Sequence, residues 1–207
     1  HQTPVFSNQI RYVVFRPYWN VPPSIQQAEI VPHVRKDRSY LDKKNFEIIT
    51  SKGEVVNSSP VSDEVLEKLR KGQLDVREKP GPKNSLGLVK IIFPNSDNVY
   101  MHSTPATELF SRSRRDFSHG CVRLEDPAAV AAWVLRHNPG WDLARVKEAM
   151  NNGPDNVQVN LVRPIPVLIV YGTAIVTEEG EPRFYDDIYG LDAELEKVLA
   201  KGYPYPG

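Results

Sequence analysis

The single cysteine of the chain, Cys121, lies in the run RRDFSHGCVRLEDP at residues 114–127. His119 precedes it by two positions, Gly120 is its neighbour, and Arg123 follows it by two positions. A thiol becomes a nucleophile when its thiolate is favoured near neutral pH, and a nearby histidine or converging backbone N–H groups favour that form. The types and spacing of these residues therefore indicate nucleophilic cysteine chemistry.

Other parts of such a site lie close by in the sequence. Gly120 permits a sharp turn, after which successive N–H groups can converge on one oxyanion. In an extended segment Arg123 returns to the face of Cys121, where it could hold a carboxylate or a carbonyl group of a substrate. His102 and His119 are both candidates for the base, and the residues alone leave that choice open.

Two other interpretations of Cys121 compete with the nucleophile. A lone cysteine is often simply a small, buried apolar residue. Alternatively, His102, His119 and Cys121 could ligate zinc, but their spacing matches no common structural zinc pattern and a fourth ligand is not evident. The flanking histidine, glycine and arginine favour the nucleophile.

Two predicted strands position these residues. The run LGLVKIIF at 86–93 is apolar on both faces, which indicates a buried strand. The run NVYMHS at 98–103 is its expected hairpin partner. The two-residue period of a strand places Tyr100 and His102 on one face and the intervening apolar side chains on the other.

Strands and short helices are expected around this hairpin. The run QIRYVVFR at 9–16 is rich in β-branched and aromatic residues and predicts a strand. Asp126 and Pro127 predict the start of a helix that ends near residue 137, with Trp133 in its core stripe. Further strands are expected at 156–162 and 165–176, and further helices at 62–72, 142–153 and 192–202.

Residues 25–85 are more polar than the sequence on either side of them. Small helices are expected within 30–45, a strand–turn–strand unit at 46–56, and a loop at 76–85. This pattern predicts an insertion in a strand-rich core.

Bulk composition excludes several classes of protein. The 207 residues are 40% apolar, enough for the core of one or two domains. The 26 basic and 26 acidic residues give no net charge, so nucleic acid is not an expected partner. No stretch approaches the length of a membrane-spanning helix, and the start HQTPVFSNQI lacks the pattern of a signal peptide. We therefore expect neither a membrane anchor nor a leader within this chain.

The run YMHSTPATELFSRSRRDFSHGCVRLEDP closely resembles the signature of the YkuD-type L,D-transpeptidases, in which a histidine and a spacer precede Ser-His-Gly-Cys. Here fifteen residues separate His102 from Ser118. The resemblance continues through TPVFSNQIRYVVFRPYWNVPPSI, PGPKNSLGLVKIIFPN and RPIPVLIVYGTAIV, and covers most of the chain outside residues 27–80. The chain resembles the large-insertion (YcbB-like) branch of the family.

This resemblance implies an α+β fold, mainly β with peripheral helices, built on a β-sandwich or partly open barrel. The catalytic domain would comprise residues 1–24 and 81–207, and an inserted substrate-capping subdomain would comprise 25–80. Family catalytic domains begin with two or more strands ahead of the TPVFS stretch, so we expect those leading strands to be missing from this chain.

The resemblance also implies roles for individual residues. Cys121 would be the nucleophile and His102 the general base, with the backbone carbonyl of Ser103 orienting the imidazole. His119 and Gly120 would form, with Cys121, the turn whose N–H groups face the oxyanion. The residues expected on the substrate side are Arg123, Tyr100, Ser118, Trp19 and Tyr18. For Tyr18 and Trp19, core packing remains an open alternative.

The implied activity is formation of 3→3 crosslinks between diaminopimelate residues of peptidoglycan tetrapeptide stems, through a cysteine thioester and without a metal or organic cofactor. We expect a periplasmic or cell-envelope location, a part in wall biogenesis and cell shape, and covalent inhibition by carbapenem β-lactams. The alternatives are an L,D-carboxypeptidase or a hydrolase releasing wall-linked lipoprotein on the same scaffold, and a non-catalytic peptidoglycan-binding module.

Overall fold

The computed structural model describes residues 2–202; His1 and residues 203–207, which were assigned to the catalytic domain, lie outside the described residues. The fold combines helices with open β-sheets, and no closed barrel occurs within the described range, so the predicted α+β class is confirmed. The largest sheet contains, in spatial order, β8 (Val122–Arg123), β7 (Met101–His102), β6 (Val89–Ile92), β1 (Phe6–Phe15) and β9 (Val157–Ile169).

Within this sheet β1 lies between β6 and β9 and pairs antiparallel with both. The segments predicted as strands, 156–162 and 165–176, are largely strand, but the break between them was misplaced: β9 continues through Pro164 and Pro166 to Ile169, and β10 follows at Ala174–Val176. β9 lies at the edge of the sheet, where a residue that lacks a backbone N–H is tolerated.

Two helices, α5 (Pro127–Val134) and α6 (Leu143–Asn151), contribute to the same apolar core as this sheet. The side chain of Asp126 caps α5 by accepting a hydrogen bond from the Ala129 N–H, as the sequence predicts. Trp133 was wrongly placed in the core. It is 54% exposed, and the Arg136 guanidinium lies 4.1 Å from its ring centroid.

A second sheet and a second apolar core occupy the region between β1 and β6. Its strands, in spatial order, are β2 (Trp19–Asn20), β5 (Asp75–Glu78), β3 (Phe46–Ile49) and β4 (Val55–Val56). Its helical segments are α1 (Pro23–Ile25), a π-helical turn (Gln26–Ile30), α2 (Val31–Lys36), α3 (Tyr40–Lys43) and α4 (Asp63–Arg70). Val34, Leu69 and Val76 are fully buried in this core. The predicted loop at 76–85 was wrong in its first part, which belongs to β5.

The remaining elements are short. They are a 3-10 turn (Thr107–Ser111), β10 (Ala174–Val176), β11 (Pro182–Phe184) and α7 (Asp192–Ala200). Within residues 2–202, no helix has the length and apolar character needed to cross a membrane.

Candidate active site

The parallel pair of β7 and β8 brings the motif residues together. The Val122 N–H donates to the Tyr100 carbonyl over 3.0 Å, and the Leu124 N–H donates to the His102 carbonyl over 2.9 Å. In this register Cys121 lies beside Tyr100 and diagonal to His102, on the same face of the two strands. Residues distant in sequence thus meet at the edge of the large sheet.

His102 is held in one orientation and one tautomer. Its side chain is buried, and its Nδ1 hydrogen-bonds to the Ser103 carbonyl. Because a carbonyl oxygen only accepts, Nδ1 carries the proton and Nε2 keeps a free lone pair. Burial lowers the pKa of His102 to about 4, and the positive charges of Arg123 and Lys90 add to this effect. The imidazole is therefore neutral at physiological pH.

Cys121 is a half-buried free thiol whose Sγ lies 3.8 Å from the Asn98 carbonyl oxygen. Burial raises the pKa of this thiol. Hydrogen bonds from the backbone and the hydroxyl of Tyr100, and the charge of Lys90, oppose that rise. In the free protein the two groups are thus a thiol and a neutral imidazole.

Tyr100 connects the thiol to the second core. Its ring centroid is 5.9 Å from that of His102, and its hydroxyl interacts with both Cys121 and the Trp19 side chain. Burial, followed by the proximity of the Cys121 charge, raises the pKa of Tyr100, so the phenol stays protonated and can donate a hydrogen bond. Trp19 thus reaches the site, whereas the ring of Tyr18 stacks beneath the Arg77 guanidinium, 4.1 Å away.

The turn before the cysteine is fixed by its own hydrogen bonds. Gly120 has φ of +113°, a conformation that favours glycine, and its N–H donates to Ser118 Oγ over 3.1 Å. The Gly120 carbonyl accepts a hydrogen bond from Thr3 Oγ1 over 2.9 Å. Since Ser118 occupies the Gly120 N–H, the Cys121 N–H is the oxyanion donor that this geometry favours.

The side chain of His119 contacts the second region of the molecule. Its Nε2 lies 2.9 Å from Oε1 of Glu29, in the π-helical turn, and both side chains are about half exposed. Beside it a cleft of about 260 Å³ is lined by Gln2, Pro4, Asp97, Val99, His119 and Gly120. The geometry thus separates the two candidate bases, because only His102 shares the face of Cys121.

Sequence reasoning missed two residues that shape the site. Lys90 interrupts the apolar run of β6, and the strand period that places Val89 and Ile91 in the core turns Lys90 towards His102. A Cβ atom at Gly87 would lie 2.8 Å from Ser103 Cβ and 2.9 Å from the Thr104 nitrogen, so only glycine permits this approach. The strand period could have identified Lys90, but nothing local indicates the contact of Gly87.

Arg123 lies directly opposite His102 in the β7–β8 register. Its Nε is buried without a hydrogen-bond partner among the described residues. An acceptor atom on a bound molecule could therefore accept a hydrogen bond from it. In residues 2–202 no group of His, Cys, Asp or Glu side chains is arranged to hold a metal ion.

Comparison with known proteins agrees with this arrangement. The sequence model of the YkuD family, described as the L,D-transpeptidase catalytic domain, matches residues 1–169. A curated Haemophilus influenzae protein named "Putative L,D-transpeptidase" is 31% identical over 207 residues, covering 98% of this chain, which spans 41% of that protein's length. With the family signature and its structural setting both in place, the chain belongs to the YkuD family of L,D-transpeptidases.

Proposed function

We propose that this chain is a peptidoglycan L,D-transpeptidase that forms 3→3 crosslinks between diaminopimelate residues through a thioester on Cys121. The observation that carries the proposal is the shared face of Cys121 and His102, with His102 fixed by Ser103 so that Nε2 is free to accept a proton. This arrangement supplies a nucleophile and an oriented base in the logic of a catalytic triad.

Acylation begins when Cys121 Sγ attacks the carbonyl carbon at the L-centre of diaminopimelate in a donor tetrapeptide stem. His102 Nε2 takes the thiol proton, and the Cys121 N–H stabilises the oxyanion that forms on the carbonyl oxygen. The bond to the terminal D-alanine then breaks, and His102 returns the proton to the departing amine. The product is a thioester and free D-alanine.

Deacylation uses the same groups in reverse. The amine at the D-centre of a second stem's diaminopimelate attacks the thioester carbonyl and loses a proton to His102. The C–S bond breaks, and Cys121 recovers the proton as a thiol. If water attacks in place of the amine, the outcome is L,D-carboxypeptidase activity.

The second core, which includes most of residues 25–80, acts in this proposal as a cap over the donor stem. Two contacts support that role, since Trp19 interacts with the hydroxyl of Tyr100 and Glu29 pairs with His119. A cap that excludes water favours an amine acceptor over hydrolysis. We place the enzyme in the periplasm or cell envelope, where its substrate lies, with a part in wall biogenesis and cell shape.

The test is incubation with purified disaccharide-tetrapeptide, followed by mass analysis of the products. The proposal predicts a crosslinked dimer and free D-alanine from the wild type and neither product from Cys121→Ala. Lys147→Met, on the exposed face of α6, serves as a matched control that retains activity. Tripeptide and D-alanine without dimer would instead establish the hydrolase, and no product from any variant would contradict both.

A further inference from the structure

Three neighbouring strands place three basic side chains in a row across the large sheet. Lys90 of β6 is the register partner of His102 in β7, and His102 is the register partner of Arg123 in β8. Residues directly opposite each other on paired strands project from the same face. His102 therefore lies between two cationic side chains, on the face that carries Cys121.

Lys90 is half-buried in this row and has no acidic partner. Its Nζ lies 5.7 Å from the Tyr100 ring centroid, and no salt bridge to it occurs within residues 2–202. Burial lowers the pKa of Lys90, and the charge of the Cys121 thiolate opposes that effect. A half-buried cation without an acidic partner lowers the free energy of unfolding, because part of its hydration is lost. Its position therefore calls for a functional explanation.

Before proton transfer His102 is neutral, and after it His102 is a cation, so any further stabilisation of the thiolate must come from another charge. In a resting cysteine–histidine ion pair the imidazolium stabilises the thiolate, but His102 is neutral in the free protein. The other titratable groups around the thiol are Tyr100, Arg123, His119 and Lys90. The charges of Arg123 and Lys90 both act on His102, and the charge of Lys90 also lowers the pKa of Cys121 against the effect of burial.

We propose that the Lys90 ammonium is the electrostatic partner of the nucleophile, stabilising the Cys121 thiolate from β6 while His102 accepts the proton from β7. The inference rests on the proposed function. The S–H bond breaks, the proton passes to His102 Nε2, and the negative charge left on sulfur faces Lys90. The same charge returns to sulfur when the thioester breaks, so Lys90 assists both halves of the reaction.

The experiment measures alkylation of the protein by iodoacetamide as a function of pH. Because Cys121 is the only cysteine, one adduct by mass reports on this thiol alone. Lys90→Met keeps the length of the side chain and removes its charge. We expect it to raise the apparent pKa of the thiol and to slow alkylation at pH 8 about tenfold, one pKa unit being a factor of ten. Lys90→Arg should restore the rate to within about twofold, and the exposed Lys147→Met should match the wild type.

An unchanged pH profile in Lys90→Met would overturn the inference. So would a Lys90→Arg profile that matches Lys90→Met, because the effect would then follow shape and not charge. Lys90→Gln supplies a second neutral side chain if Lys90→Met does not fold. Alkylation needs no peptidoglycan, so a failure to form crosslinked dimer with an intact Lys90 effect would count against the proposed function and leave the role of Lys90 standing.

Discussion

Gln26 of the second core and the basic side chains beside Cys121 differ in how far their hydrogen bonds are completed. In the second core the side chain of Gln26, 1% exposed, donates to the carbonyls of Leu69 and Leu74 and accepts from the Val76 N–H. At the edge of the large sheet, Lys90 lacks an acidic partner and Arg123 Nε lacks an acceptor among the described residues. Gln26 thus completes its hydrogen bonds and the basic groups beside the site do not, although Arg38 Nη1, between α2 and α3, is also buried without a partner among the described residues.

Buried polar groups can serve either the stability of a fold or the chemistry of a site. A buried polar group that is fully hydrogen-bonded specifies how a core packs, and its removal costs stability. A buried group without a partner costs stability where it stands, so it persists where a substrate or a reaction step requires it. In the proposed mechanism, Gln26 serves the fold and the row of basic residues serves the chemistry.

The largest expected effect comes from the base at the centre of that row. His102→Asn keeps a hydrogen-bond donor for the Ser103 carbonyl but removes the basic nitrogen. We expect acylation of Cys121 to slow about 10³-fold, with a stability at pH 7 close to that of the wild type. Stopped-flow acylation and thermal unfolding test this together. A loss below tenfold would remove His102 from the role of base.

The lowered pKa of His102 also predicts how stability depends on pH. The unfolded imidazole titrates near 6.5 and the folded one near 4, so between these values the unfolded chain binds the extra proton. The contribution of neutral His102 to the free energy of unfolding is fully present above pH 6.5. It is lost as the pH falls towards 4, by about 3 kcal/mol in total. Urea unfolding of wild type and His102→Asn across this window measures the difference. Parallel pH curves for the two proteins would contradict the prediction.

Gly87→Ala tests the support behind the base. The new Cβ would press on Ser103, whose carbonyl orients His102, so we expect acylation to slow about 100-fold. Gly140→Ala is the matched control, because Gly140 also has a positive φ (+76°) but no atom lies within 4 Å of its Cβ position. Equal losses in the two variants would attribute the effect to backbone strain and not to Ser103.

Gln26→Leu should lower the free energy of unfolding without changing the reactivity of the Cys121 thiol. The substitution leaves buried backbone groups of the second core unpaired, at a cost of about 2 kcal/mol in the free energy of unfolding. Gln27→Leu removes only one partly buried hydrogen bond, to Leu69, and should cost less. Denaturant unfolding and Cys121 alkylation are measured side by side. A thiol that reacts tenfold more slowly in Gln26→Leu would contradict this separation of roles.

Glu29→Gln should give the smallest effect. It alters the contact between Glu29 of the second region and His119 in the turn before Cys121. The Glu29–His119 pair is about half exposed, and such pairs contribute less than about 1 kcal/mol. We expect a change below about fivefold in KM for the donor stem and none in Cys121 alkylation. Because salt screens exposed charges, the difference from wild type should shrink at about 1 M salt. A large change in alkylation would place Glu29 in the chemistry itself.

Local patterns predicted the hairpin of β6 and β7 and the start of α5 at Asp126 and Pro127, because strand periodicity and capping act between near neighbours. They missed β5, whose sequence Asp-Val-Arg-Glu is polar. It becomes a strand because it lies between β2 and β3, and that pairing joins residues far apart in the chain. Trp133 was misplaced because stacking by Arg136, and not burial, covers its ring.

For the site, the sequence identified the turn at Cys121 and both candidate bases, but not their arrangement. The choice between His102 and His119 depends on which strand faces the thiol, a tertiary property. Glu29 could not be predicted, since it lies ninety positions from its partner His119. Lys90 was overlooked because the apolar residues on either side of it dominate the strand signal.

The most direct test of the account is intact-mass analysis of the wild type and Cys121→Ala after incubation with a carbapenem. An activated thiol in an acyl-accepting site predicts one adduct on the wild type and none on the variant. Equal labelling of both proteins, or no labelling of the wild type under conditions where it remains folded, would contradict the central claim that Cys121 is the nucleophile.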